Sequence, residues 1–78
     1  MSPSPKFRVA TAVKSYVLTV PPYSAALYEI GVNQRTDPEL VLDELEYLYG
    51  DAEVHAILTT VLKLKPELKP LAEQVFTV

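Results

Sequence analysis

The chain has 78 residues, 49% of them apolar, with 5 Tyr, 2 Phe, no Trp, no Cys and a net charge of −3. That length holds one domain and not two. The lack of cysteine excludes disulfides, thiolate zinc sites, iron–sulfur clusters and cysteine nucleophiles, and the acidic balance argues against a phosphate-tracking role, so no nucleic-acid partner is expected.

A domain this small buries only about 60% of the surface its unfolded chain exposes. With so much apolar material, some of it is expected to stay exposed, which usually means a partner or a second copy. No apolar run approaches the roughly 18 residues of a membrane span. The start Met1-Ser2-Pro3-Ser4-Pro5 lacks the basic and apolar blocks of a signal peptide. The expectation is a cytoplasmic protein with no membrane partner.

Residues 1–5, rich in Ser and Pro, read as a flexible tail ahead of a single small helical domain over 6–78. Ser4-Pro5 can instead supply an N-cap and a first helical residue. Residues 6–20 admit two readings. As a helix, Phe7, Ala10, Val13, Val17 and Val20 form one stripe, with Arg8, Thr11, Ser15 and Thr19 opposite. As a strand, the density of Val and Thr fits, but Val9, Val13 and Val17 would share a face with Thr11, Ser15 and Thr19. Helix is favoured. Pro21-Pro22 ends that element, a short helix follows from about Tyr23 to Ile30, and Gly31 is placed to stop it. In the alternative, Leu27 to Val32 pairs with the first segment. The fold is then α+β, with an N-terminal β-hairpin in 6–32 packed on three C-terminal helices.

Asn33-Gln34-Arg35 reads as a polar loop. The next helix has the clearest start: Thr36 or Asp37 caps it, Pro38 takes the first turn, and Glu39 sits at the positive end of the dipole. Val41, Leu45, Leu48 and Tyr49 should face inward, and Gly50 should end it. Asp51 is expected to cap a fourth helix with Val54, Ile57, Leu58, Val61 and Leu62 inward. Pro66 ends that helix and opens a last one, striped by Leu68, Leu71, Ala72 and Val75, with Pro70 tolerated in its first turn. The favoured class is all-α, a compact bundle of four or five short helices.

Charge is the most uneven feature. Residues 1–35 carry Lys6, Arg8, Lys14 and Arg35 against Glu29. Residues 36–62 carry Asp37, Glu39, Asp43, Glu44, Glu46, Asp51 and Glu53 and no Lys or Arg. Glu39, Asp43 and Glu46 fall at steps of four and three, so they stack on one helical face and repel one another mildly. A solvated face explains such a stripe, and so does a basic surface, which could be the chain's own N-terminal half, a second copy or another protein. Tyr47 and Tyr49 lie two apart, so only one can face inward. If Tyr49 does, Tyr47 is an exposed aromatic beside the acids. Glu39, Asp43, Glu46 and Tyr47 are therefore the candidate binding residues for a protein partner.

Signals for chemistry are weak. His55 lies four residues after Asp51, a spacing that can begin a metal site, but no third ligand is suggested. The serines have no neighbouring base in sequence, and Gly31 and Gly50 are too few for a phosphate loop. The closing Phe76-Thr77-Val78 has the spacing a strand-adding groove accepts, though the pattern is common by chance. The expectation is no enzyme, no cofactor and no metal. The leading reading is a small adaptor-type protein–protein interaction module, possessing an acidic, Tyr-bearing helix face that engages a basic protein surface or a second copy of itself. The alternative is a small acidic regulatory or inhibitory protein that mimics nucleic acid and blocks a basic site on its target.

Overall fold

A computed structural model describes residues 3–76. Ser4 decides the first ambiguity: its Oγ accepts a hydrogen bond from the Phe7 amide at 3.2 Å, and Pro5 takes the first helical position. The capped helix, α1, runs Pro5–Val17 and buries Val9, Ala10, Ala12, Val13 and Val17. The hairpin alternative over 6–32 is thereby overturned, and no strand forms among the described residues. Cap and proline pre-set helical geometry at the start, and the buried positions recur at steps of one, three and four, which only a helix places on one face.

The first helix ends at Val17 rather than Val20. Leu18 is its C-cap, and Val20 instead becomes the N-cap of α2, Pro21–Glu29, where its carbonyl accepts from the amides of Tyr23 and Ser24. Two prolines at the helix start supply no amide there and fix φ. The end of α2 is a Schellman turn. The amide of Val32 reaches the Leu27 carbonyl at 3.0 Å and that of Gly31 reaches Tyr28 at 3.1 Å, with Gly31 at φ 94°. Leu27 and Val32, the apolar pair this turn brings together, are both buried.

Asp37, not Thr36, caps α3 (Pro38–Tyr49), accepting from the Glu39 amide at 2.8 Å. Thr36 caps the preceding loop instead, its hydroxyl accepting from the Asn33 amide at 2.9 Å. α3 buries Val41, Leu42 and Leu45. Leu48, expected inward, is exposed, and Leu42 takes its place in the core. Gly50, at φ 85°, joins α3 directly to α4, Asp51–Leu64. Gly50 is thus the N-cap position, and Asp51 is the first helical residue rather than the cap. It still sits where the dipole favours an acid. α4 buries Ile57, Leu58 and Val61. Pro66 opens a 3-10 turn, Pro66–Leu68, and the last helix, α5, begins only at Lys69 and ends at Val75. There Leu68 and Ala72 are buried and Leu71 packs against the core, but Val75 is exposed, contrary to expectation.

α1 is the centre of the bundle. It packs on α3, α5 and α4, while α2 lies against the rest more lightly. The radius of gyration is 11.7 Å, against about 11.5 Å expected for a compact chain of this length. No helix among the described residues is long and apolar enough to cross a membrane. The tail reading of Met1 and Ser2, and the last two residues of the terminal Phe76-Thr77-Val78 pattern, lie outside the described residues.

Candidate functional site

The candidate residues all belong to α3, and its core contacts fix their direction. Val41, Leu42 and Leu45 point into the bundle with Tyr49 beside them. At about 100° per residue, the opposite side is then Leu40, Asp43 and Tyr47. Tyr47 is 87% exposed and Leu40, two turns before it on the same line, 49% exposed. Asp43 stands one turn from Tyr47 and is also exposed. The outer face is therefore an aromatic and a leucine set among carboxylates.

The expected acidic stripe is divided by its surroundings. Glu39 lies 4.0 Å from the Lys6 ammonium on α1, so the chain's own N-terminal half meets part of the charge. Both partners are well exposed, and such a pair contributes less than about 1 kcal/mol. Asp43 and Glu46 meet no cation among the described residues. Glu46 sits at the edge of the face, where it lines a cleft of about 550 Å³ with Asp51, His55 and Phe76. His55 and Asp51 thus line the same cleft, with no hydrogen bond or ion pair between them among the described residues. No group of three His, Asp or Glu among the described residues is arranged to hold a metal ion.

Two polar devices were not foreseen. The first is a tyrosine cluster that docks α2. The Tyr23 hydroxyl donates to the Glu53 carboxylate on α4. Its ring meets that of Tyr49 edge-on, with centroids 5.3 Å apart, and Tyr16 packs against the same core. The hydrogen bond to Glu53, aided by burial, pushes the Tyr23 phenol up to about 12. Glu53 is thereby removed from the pool of binding acids, and Tyr16, Tyr23 and Tyr49 are accounted for by packing. Tyr28 and Tyr47 remain exposed. The second device is Lys14, whose ammonium donates to the carbonyls of Gln34 at 2.6 Å and Thr36 at 2.8 Å. It ties the loop before α3 to α1. Neither bond has a local sequence signal, because the partners lie 20 to 30 positions apart.

A second cleft, of about 580 Å³, separates α4 from the turn into α5. Leu62 and Pro66 contribute its apolar lining, and Lys63 and Lys69 contribute cations. Leu64, between those lysines in sequence, is 66% exposed. The chain matches no protein-family model, no curated protein and no solved structure.

Proposed function

We propose that this chain is a small, non-enzymatic protein-interaction module of the adaptor type, working in the cytoplasm, and that the outer face of α3 is its contact surface. The observation that carries the reading is Tyr47, 87% exposed on a face whose Asp43 and Glu46 meet no cation among the described residues. A tyrosine in that setting has no folding role to explain it. Tyrosine is among the residues that dominate interface energetics, since it brings a large apolar area and one hydroxyl with few rotamers. Carboxylates around it favour a basic partner and reject an acidic one. Asp43, Glu44 and Glu46 also lie too far along α3 to gain much from its dipole.

The test is a comparative capture from the native host. Immobilised wild type, Tyr47→Ala and Asp43→Lys/Glu46→Lys are exposed to the same extract at low and high salt. A set of proteins retained by wild type and lost from both variants supports the reading. Retention of the same set by all three overturns it. Adding nucleic acid separates the alternative, because a nucleic-acid mimic is displaced from its target by DNA or RNA and an adaptor is not.

A further inference from the structure

Folding satisfies the charges of this chain unevenly. Lys6 meets Glu39, Lys14 meets two backbone carbonyls, and Glu53 meets the Tyr23 hydroxyl. On α3, Asp43, Glu44 and Glu46 are left without a cation among the described residues. At the other end of the sequence, Lys63, Lys65 and Lys69 are left without a carboxylate within ion-pair distance among the described residues. Arg8, Arg35, Glu29, Glu67 and Glu73 also lack an ion pair among the described residues, but the α3 acids and the C-terminal lysines are opposite in sign, and each set borders apolar surface that the fold does not cover. Leu40 and Tyr47 project from the acidic set. Lys63 and Lys69 of the basic set line the α4–α5 cleft beside Leu62 and Pro66.

We propose that the α4–α5 cleft receives the acidic, Tyr47-bearing face of α3 from a second copy of this chain. The inference rests on the reading of α3 as a contact surface and names its partner. The cleft volume of about 580 Å³ lies within the roughly 300–1,000 Å³ of small-molecule pockets. Tyr47 and Leu40 supply apolar area to bury, and Lys63 and Lys69 on the cleft lining offer cations to Asp43 and Glu46. Glu73 is the one carboxylate on that lining, and the lysines outnumber it. Exposed ion pairs alone contribute little, so the apolar contact supplies affinity while the charges set register and reject other orientations. Because donor and acceptor surfaces are different patches, the contact is heterologous, and each copy can both offer α3 and accept it.

Charge exchange tests this. Wild type, Asp43→Lys/Glu46→Lys and Lys63→Glu/Lys69→Glu are compared by sedimentation velocity over roughly 10 μM to 1 mM, a range that covers weak association. Circular dichroism confirms that each is folded, and Lys63→Gln/Lys69→Gln serves as the milder version of the second variant. Wild type should self-associate at low salt. Each charge-reversed variant alone should associate at least about tenfold more weakly, since like charges then face each other. An equimolar mixture of the two should recover association, because one contact in the mixture is wild type and the other is fully exchanged. Wild type that stays monomeric throughout overturns the proposal. Association lost on reversing α3 but kept on reversing the lysines also overturns it, while leaving α3 as a contact surface for another basic protein.

Discussion

The Tyr23 hydroxyl donates a hydrogen bond to the Glu53 carboxylate across 30 positions of sequence, and this bond, with the edge-on contact to Tyr49, holds α2 against α3 and α4. α2 buries only Leu27 within its own length, so its docking depends on few side chains. Tyr23→Phe keeps the ring contact and removes the hydrogen bond. It should cost about 1–2 kcal/mol in urea unfolding at neutral pH.

The same bond fixes a pH dependence. The folded chain holds the Tyr23 proton up to about 12, against an ordinary value of 10.0. The folded state therefore binds this proton more tightly than the unfolded state. Its contribution is complete below pH 10 and is lost as pH rises from 10 towards 12. Stability measured through that window should fall more steeply for wild type than for Tyr23→Phe. Parallel curves would show that the phenol is not held by Glu53.

Lys14 should matter more than an exposed lysine usually does. Lys14→Met retains the aliphatic stem and removes both bonds to the Gln34 and Thr36 carbonyls. The expected loss is about 1–2 kcal/mol, with faster amide hydrogen exchange confined to residues 33–37.

Gly31 answers for the turn after α2. Its φ of 94° belongs to a region that side chains resist, while the space around it is open. Gly31→Ala should therefore destabilise through the backbone alone, by about 1–2 kcal/mol.

Leu45→Ala and Leu48→Ala separate the two faces of α3. Leu45 is fully buried and Leu48 is exposed. The first should cost roughly 2–4 kcal/mol and the second less than about 1 kcal/mol. Equal costs would mean that α3 is rotated from the orientation described, which would also move Tyr47 off the outer face.

Local signals were enough for most of the helices. Ser4-Pro5, Asp37-Pro38, Gly31 and Gly50 punctuate the chain by backbone rules that act within a few residues, and the stripes of α1 and α4 follow helical spacing. The errors fall where a stripe is broad. On α3 both Leu42 and Leu48 lie within reach of the apolar side, and only the position of α1 decides which is covered. Val20 continued the α1 pattern, yet Pro21-Pro22 needed it as the start of α2. For the candidate site, exposure of Tyr47 followed from burial of Tyr49 two residues later. The Lys6–Glu39 pair, the Tyr23–Glu53 bond and the α4–α5 cleft were not legible, since each joins elements whose relative placement is set by packing rather than by spacing.

The most direct measurement concerns Tyr47 itself. The chain is labelled with 3-fluorotyrosine, and the Tyr47 resonance is identified by Tyr47→Phe. Fluorine spectra are recorded as the chain is concentrated and as any captured partner is added, with the mass of the complex followed in parallel. If the outer face of α3 is the contact surface, the Tyr47 resonance moves as the complex forms, the resonances of Tyr16, Tyr23 and Tyr49 stay in place, and added salt weakens the complex without abolishing it. A complex that forms while the Tyr47 resonance keeps its free position contradicts the account.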